Sequence, residues 1–325
     1  MPDRRTRRQE EREAKAKEAK QEFRPPGGLF SRLSTDAIVG IIIASVVLLV
    51  FLVFFFRWWN SRDNTAAPTF NQVSAIAPGG LEGKTLFIAD LNGLFRSTDN
   101  GKKWSRAPGI AKGEAYRAVE GVPGSPGALI AAGSHSLRRS ADGGKTWTLV
   151  QNDLPSQDFQ SFTIDPVQPN TFYAYLNPQG LFRSENSGAA WTRVSGFENA
   201  SVTTLAVRPG DPKLLFVFHS SRGLLRSRDG GVTFEPVTGA LPATSVTDLL
   251  TLPNDAQNVY AVASRSLYRS KDGGTTWAKA GGQSLSSANI VIIGRDGATG
   301  TLYAADLTGF VYSSTDGGEN WIPHS

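Results

Sequence analysis

The chain has 325 residues, no cysteine, three histidines and a formal net charge of +5. Without cysteine the protein forms no disulfide, no thiol nucleophile and no Cys-ligated zinc site, and three scattered histidines are too few for a metal centre, so we expect neither metal nor cofactor. Residues 1–36 carry ten Lys/Arg and seven Asp/Glu, whereas the other 289 residues carry 24 and 22. The downstream part is therefore nearly neutral, and we expect no nucleic-acid partner.

The first 36 residues form a basic tail with a Pro-Pro-Gly-Gly break at residues 25–28. Glu11 and Lys15, like Glu13 and Lys17, are i,i+4 pairs in the order that favours a helix. The tail is predicted to be disordered or marginally helical and to act as a solvated topology signal. The alternative is a basic arm that meets acidic lipid head groups or ribosomal RNA.

Residues 37–56, AIVGIIIASVVLLVFLVFFF, contain no charge over twenty positions. As a helix, twenty residues span about 30 Å, the thickness of the hydrocarbon core of a bilayer. Arg57, Trp58 and Trp59 follow directly, where interfacial aromatic rings settle. The pattern predicts a single transmembrane helix. A cleaved signal peptide is the alternative, but its apolar stretch is usually about 7–15 residues, with a small-residue cleavage site close behind.

The Lys/Arg asymmetry around this segment predicts its orientation. The twenty residues before it contain four Lys/Arg and the twenty after it contain two. Because positive flanks remain in the cytoplasm, we expect a single-pass protein of the cell membrane with a cytoplasmic N-terminus. Residues 57–71 are the predicted linker, and everything after them is predicted to be extracytoplasmic.

From residue 72 onward the chain repeats the pattern Ser-x-Asp-x-Gly-x-x-Trp six times, with 43, 44, 43, 43 and 44 residues between successive serines. Ser and Asp side chains bind the amides of a tight turn, and Gly supplies the positive φ that such a turn needs. The aromatic residue then begins the next strand and is expected to pack across the sheet. The copies are Ser97, Asp99, Gly101 and Trp104; Ser140, Asp142, Gly144 and Trp147; Ser184, Asn186, Gly188 and Trp191; Ser227, Asp229, Gly231 and Phe234; Ser270, Asp272, Gly274 and Trp277; and Ser314, Asp316, Gly318 and Trp321.

The period of the repeat predicts its architecture, because about 43 residues make one four-stranded propeller blade. Each unit supplies four short apolar or β-branched runs; in the fourth unit they are residues 202–208, 214–219, 224–227 and 234–237. The sequence therefore predicts an all-β domain over residues 72–325, a six-bladed propeller of antiparallel blades with the repeated motif between the third and fourth strands.

The motif resembles the Asp-box, or BNR, repeat over the whole of residues 72–325. Asp-box propellers include sialidases, xyloglucan-cleaving glucanases, sortilin-type receptors and the photosystem II assembly-factor family. In those families the box is a structural turn that generally lies away from the working face. The resemblance therefore implies that the box residues stabilise the fold and bind no ligand.

An arginine precedes the box serine in five of the six units. Residues 137–147 and 267–277 best match the Leu-x-Arg-Ser-x-Asp-Gly-Gly-x-Thr-Trp phrase of the photosystem II assembly-factor family. That resemblance implies a non-enzymatic propeller that binds a precursor membrane subunit partly through an arginine-lined surface. Two interpretations remain open: the arginines dock a partner, or they pair with neighbouring groups and hold the ring together. The arginine row consists of Arg96, Arg139, Arg183, Arg226 and Arg269, with Ser313 in the sixth unit.

The sequence favours no catalytic residue. The only Phe-Arg-x-Pro motif, which sialidases carry before their first box, is at residues 23–26, on the predicted cytoplasmic side. Other glycosidases need two carboxylates about 5–10 Å apart, but the loops between units are too short to build a cleft. The candidate acids are Asp90, Asp165, Asp248, Asp296 and Asp306.

We therefore expect a membrane-anchored, non-enzymatic propeller that binds another membrane or exported protein and assists the assembly or stability of a membrane complex. It is expected to have no small-molecule substrate. The alternatives are a sortilin-like peptide-binding receptor module and an exo-sialidase or other glycoside hydrolase.

Overall fold

The computed structural model describes residues 44–53, 68–79, 83–195, 201–209, 214–237, 241, 245–297 and 299–324. The chain divides into two compact units, Met1–Thr65 and Ala66–Ser325. In the first unit residues 44–53 form a helix with exposed side chains. The predicted tail, residues 37–43 and 54–56 of the predicted transmembrane segment, and residues 57–67 of the predicted linker lie outside the described residues. Within the described part of the chain, no helix is long and apolar enough to span a bilayer.

The second unit is a six-bladed all-β propeller, as the repeat predicts. Each blade is a four-stranded antiparallel sheet in which neighbours in sequence are neighbours in space. The strands of blades 1 to 3 are β1 (Val73–Pro78), β2 (Leu86–Asp90), β3 (Gly93–Ser97), β4 (Ser105–Arg106), β5 (Tyr116–Gly121), β6 (Leu129–Gly133), β7 (Leu137–Ser140), β8 (Thr148–Leu149), β9 (Phe159–Ile164), β10 (Phe172–Leu176), β11 (Gly180–Ser184) and β12 (Thr192–Ser195). Those of blades 4 to 6 are β13 (Val202–Val207), β14 (Leu215–His219), β15 (Gly223–Ser227), β16 (Glu235–Pro236), β17 (Val246–Leu252), β18 (Asp255–Ala263), β19 (Ser266–Ser270), β20 (Ala278–Lys279), β21 (Ile290–Arg295), β22 (Leu302–Asp306), β23 (Val311–Ser314) and β24 (Ile322–His324).

The core lies between the blades. The second strands are mostly apolar and buried, because each is covered on both faces by a neighbouring blade. β10 is apolar and buried at every position, and β2 is equally buried but ends in the charged Asp90. The outermost strands are short and largely exposed, so they offer little edge for pairing with other chains. Six clusters of buried residues, one between each pair of neighbouring blades, hold the ring together.

Blade 1 and blade 6 each contain four consecutive strands, so neither blade contributes a strand to the other. The ring therefore closes through side-chain packing between blade 6 and blade 1. The indole Nε1 of Trp104 donates to the carbonyl of Gly309 in blade 6 at 3.2 Å. The ring of Phe70, in the segment before β1, packs edge-on against Trp104 with centroids 6.0 Å apart. The carboxylate of Asp90 accepts the amides of residues 71 and 72 at 2.9 and 2.8 Å. The chain thus begins its path through the ring at the end opposite the box turns.

The box turns lie between the third and fourth strands. In blade 2 the hydroxyl of Ser140 donates to Oδ1 of Asp142 at 2.8 Å and accepts the amide of Gly144 at 2.9 Å. Gly144 has a φ of 73°, and a Cβ atom added to it would collide with the ring of Phe87 in blade 1. The glycine therefore serves both the turn and the packing of one blade on the next.

Candidate functional site

The arginine row occupies one register in the first five blades. Each arginine is the penultimate residue of a third strand and lies opposite a residue of the second strand: Arg96 opposite Phe87, Arg183 opposite Tyr173 and Arg269 opposite Tyr260. In blade 6 the same position is Ser313, opposite Tyr303. This register places all six residues at the box end of the ring, meaning the end of the blades at which the box turns lie.

Three members of the row form ion pairs. Arg183 pairs with Glu185 at 2.7 Å, and Arg226 pairs with Glu235 at 2.9 Å, each within its own blade. Arg269 pairs with Glu319 of the next blade, also at 2.7 Å. The three arginine side chains are only 30%, 18% and 16% exposed, whereas their glutamate partners are 69%, 52% and 60% exposed, so the arginine of each pair is partly desolvated and the carboxylate faces solvent.

The other two members, Arg96 and Arg139, form no ion pair with any described residue. The Nε of Arg96 is buried and no described group accepts its hydrogen. Arg139 is exposed, and among the described residues it is paired only through its backbone, with Ile130 and Thr148 on the adjoining strands. The sequence repeats the arginine five times, but the structure divides the row into three paired side chains and two unpaired ones on blades 1 and 2.

The box aspartates are bound within their turns. Asp229 accepts the hydroxyl and the amide of Thr233 at 2.6 and 2.9 Å. These hydrogen bonds lower the pKa of its carboxyl to about 2, and the same arrangement with Asn320 does so for Asp316. Each carboxylate is committed to a turn and is poorly suited to act as an acid or a base near neutral pH.

The five candidate acids do not converge on one cleft. Asp90 and Asp306 cap hairpin turns at the end opposite the boxes, and Asp165 and Asp296 cap turns that follow innermost strands. Asp248 alone lies in the central cavity. Each of the five carboxylates accepts backbone amides: Asp90 those of Asn71, Gln72 and Asn92; Asp165 those of Val167 and Gln168; Asp248 those of Leu249 and Ile293; Asp296 that of Thr299; and Asp306 those of Thr308 and Phe310.

A second carboxylate, which the sequence reasoning missed, lies in the same cavity. Glu120 accepts the amide of Ile164 in the next blade at 3.0 Å, just as Asp248 accepts that of Ile293 at 2.9 Å. Each carboxylate thereby satisfies a backbone group on the free edge of the neighbouring innermost strand. Burial raises the pKa of both carboxyls to about 7, and at Asp248 the charge of Glu120 contributes to that rise. Comparing the six innermost strands position by position would have revealed Glu120, whose counterparts are mostly small or apolar.

The central cavity is small and electrically balanced. Its volume is about 100 Å³, below the 300–1,000 Å³ that is usual for ligand pockets. Arg117 and Arg295 line it together with the two carboxylates, and each arginine has a buried N–H without a described acceptor. A few water molecules suit such a polar space. Within the described residues, no group of three or more His, Asp or Glu side chains could hold a metal ion.

The fold and its turns define the class: the described residues between 68 and 324 form a six-bladed β-propeller with a Ser-Asp-Gly turn, or Ser-Asn-Gly in blade 3, at the box end of every blade. No family model matches the chain, and no curated protein is similar to it in sequence. The similarity that does exist is to solved propeller structures, and it supports the fold alone.

Three of these structures illustrate the range. The GH74 xyloglucanase from Xanthomonas campestris is 16% identical with a TM-score of 0.53, over 80% of this chain and 46% of that one. This chain therefore spans about half the length of that enzyme. A structure described as YCF48 bound to D1 peptide is 15% identical with a TM-score of 0.48, covering 74% and 76% of the two chains. YCF48 from Cyanidioschyzon merolae is 17% identical with a TM-score of 0.46, covering 70% and 79%.

Proposed function

We propose that this protein is a membrane-anchored, non-enzymatic propeller that binds another membrane or exported protein and assists the assembly or stability of a membrane complex. The observation that carries the proposal is the division of the arginine row. Arginines that form no ion pair with a described residue of the ring are available to a partner outside it, and arginine is enriched at the energetic centres of protein interfaces. Arg96 and Arg139 lie on neighbouring blades, so one extended segment of a partner reaches both.

The anchor in this proposal is the uncharged segment 37–56, with the tail in the cytoplasm and the propeller outside. Alkaline phosphatase fused after Ser325 is expected to be active in bacterial cells, whereas the enzyme fused before Ala37 is expected to be inactive. The reverse pattern would contradict both the orientation and the exported location of the partner.

The docking role is tested with the full-length chain, isolated from its native membranes in a mild detergent. Arg96→Gln combined with Arg139→Gln is expected to remove co-purifying proteins that the unaltered chain retains, without lowering the melting temperature. The matched control is Arg183→Gln with Arg226→Gln, which changes the charge equally but affects paired arginines. That control is expected to lower the melting temperature and to retain the co-purifying proteins. If the first variant keeps its full set of bound proteins, the arginine row has no docking role.

A glycoside hydrolase is the second candidate, and the observation in its favour is the Glu120–Asp248 pair with pKa values near neutrality. Against it stand the size of the cavity and the backbone amides that both carboxylates bind. Fluorogenic sialosides and β-glucosides are expected to be left intact by the purified chain. Turnover that disappears in Asp248→Asn would establish the hydrolase and reject the proposal above.

A further inference from the structure

At the joint between blades 5 and 6, the chain itself supplies the acceptors for an arginine of the row. Arg269 donates from Nη1 to Oε1 of Glu319 at 2.7 Å and from Nε to Oδ1 of Asn258, also at 2.7 Å. Glu319 directly follows the box glycine Gly318, which packs against the ring of Tyr260, the cross-strand partner of Arg269. The arginine, the aromatic ring and the next box turn therefore form one unit.

The joint between blades 1 and 2 has the same frame. Arg96 lies opposite Phe87, and the box glycine of blade 2, Gly144, packs against that ring. The residue after this glycine is Lys145, where the other joint has Glu319, and the residue two before Phe87 is Thr85, where the other joint has Asn258. Both internal acceptors are thus replaced.

Arg96 and Lys145, the two cations at the joint between blades 1 and 2, form no ion pair with a described residue. The Nε of Arg96 is buried without a described acceptor, and Lys145 is exposed and forms no ion pair with a described residue. Two cations occupy the positions that form an ion pair at the other joint. Like charges in such positions repel each other, and a carboxylate between them would relieve the repulsion and accept the hydrogens of the guanidinium.

We propose that the joint between blades 1 and 2 is an anion-accepting subsite, in which a carboxylate of an acidic polypeptide segment takes the place that Glu319 takes at the joint between blades 5 and 6. The inference rests on the proposed function, because it names the chemistry of the segment that the unpaired arginines bind. The ring itself shows the geometry of the contact, since Glu319 is such a carboxylate, presented by a polypeptide to an arginine in the same register. Arg139 on blade 2 extends the subsite for a second acidic residue.

The test uses the full-length chain in mild detergent at low ionic strength, with fluorescein-labelled octaglutamate as the probe and octaglutamine as the uncharged control peptide. Octaglutamate is expected to bind and octaglutamine is not. Lys145→Glu recreates the internal pair with Arg96, so it is expected to weaken octaglutamate binding about tenfold. Lys279→Glu is the matched control, because it changes the net charge equally from an exposed position on blade 5, and it is expected to change the affinity less than about twofold.

A second variant leaves the joint between blades 1 and 2 unchanged and alters the joint between blades 5 and 6 to resemble it. Glu319→Lys removes the internal carboxylate from Arg269 and is expected to create a second subsite, seen as an increase from one to two bound octaglutamate peptides per chain. Melting curves establish that each variant is folded.

Three results would overturn the subsite: equal losses in Lys145→Glu and Lys279→Glu, unchanged affinity in Lys145→Glu, or Lys145-dependent binding to phosphatidylserine vesicles without binding to octaglutamate. If octaglutamate binding is indifferent to Lys145 while Arg96→Gln with Arg139→Gln still loses its co-purifying protein, the subsite is wrong and the proposed function stands. If that double variant keeps its partner, the docking role fails together with the subsite.

Discussion

The box turns and the arginine row are neighbours in sequence, yet the six-fold repeat treats them differently. In every box the serine hydroxyl accepts the glycine amide and donates to the Asp or Asn that follows, from Ser97 in blade 1 to Ser314 in blade 6. In the arginine row the backbone register repeats, but the partner of the side chain changes from blade to blade. The comparison teaches that the repeat preserves local hydrogen bonds, which lie within a few residues, and leaves contacts with the next blade free to vary.

The largest effect on the box side of this comparison is expected from the box tryptophans. Trp277 and Trp321 are 8% and 3% exposed and pack within the clusters between blades 4 and 5 and between blades 5 and 6. Trp277→Ala is expected to lower the free energy of unfolding by about 3–5 kcal/mol, since a buried aromatic ring is lost. Chemical denaturation measures the change, with Ile322→Ala, at an exposed neighbour of Trp321, as the control. An unchanged midpoint in Trp277→Ala would contradict the packing of the blades.

A somewhat smaller loss of stability is expected when the box glycine is replaced. Here the contribution of the backbone turn can be separated from that of the packing between blades. Gly144→Ala is expected to cost about 2–4 kcal/mol, because the positive φ disfavours alanine and the added Cβ collides with Phe87. Gly109→Ala has the same positive φ but open space around the added atom, so about 1 kcal/mol is expected. Equal losses of stability in the two variants would show that the glycine serves the turn alone.

The carboxyls of the central cavity and the box aspartates are expected to make the stability of the fold depend on pH in opposite directions. The folded pKa values of Glu120 and Asp248, about 7, lie above the ordinary values of 4.5 and 3.8 for these carboxyls, so the folded state binds more protons between these limits. Stability is therefore expected to fall as pH rises from about 4 to 7 and then to level off. The box aspartates have lowered pKa values and contribute in the opposite sense, with stability lost as pH falls below about 4.

The variant Glu120→Gln with Asp248→Asn tests this origin of the pH dependence. It is expected to make the melting temperature nearly independent of pH between pH 5 and 8. An unchanged slope of melting temperature against pH would exclude the pair as its origin.

The smallest loss of stability is expected for substitutions in the arginine row, and its size is expected to differ between the paired and the unpaired arginines. Arg269→Gln is expected to cost about 1–2 kcal/mol, because Glu319 loses the nearer of its two cationic partners, Arg269 and Lys271, and Asn258 loses a donor. Arg96→Gln is expected to cost less than about 0.5 kcal/mol, since no described group accepts its hydrogens. Thermal unfolding of the two variants side by side measures the difference. A larger loss in Arg96→Gln would mean that both arginines are structural.

Most of the propeller was predictable, and the reason is its local chemistry. A box places Ser, Asp and Gly within five residues, so hydrogen bonds such as that from the amide of Gly144 to Ser140 follow from spacing alone. The number of blades, their four strands and the register of the arginines follow from the period. Glu120 was missed because nothing near it in sequence distinguishes it, and only a comparison of the six innermost strands shows that its counterparts are mostly small or apolar. The predicted transmembrane segment and the predicted orientation remain predictions, since only residues 44–53 of that segment belong to the described structure.

The amino-acid sequence by itself determined the class of fold, because each blade is built from short-range turns and alternating strands that recur every 43 or 44 residues. Only the tertiary structure decided which arginines form an ion pair with another described residue. Glu319 lies 50 residues after Arg269 and reaches it because one blade packs against the next, and Glu120 joins Asp248 across the central cavity from blade 2 to blade 5. The physical reason is that charge pairing depends on distances through space between blades, which the period of the repeat does not specify.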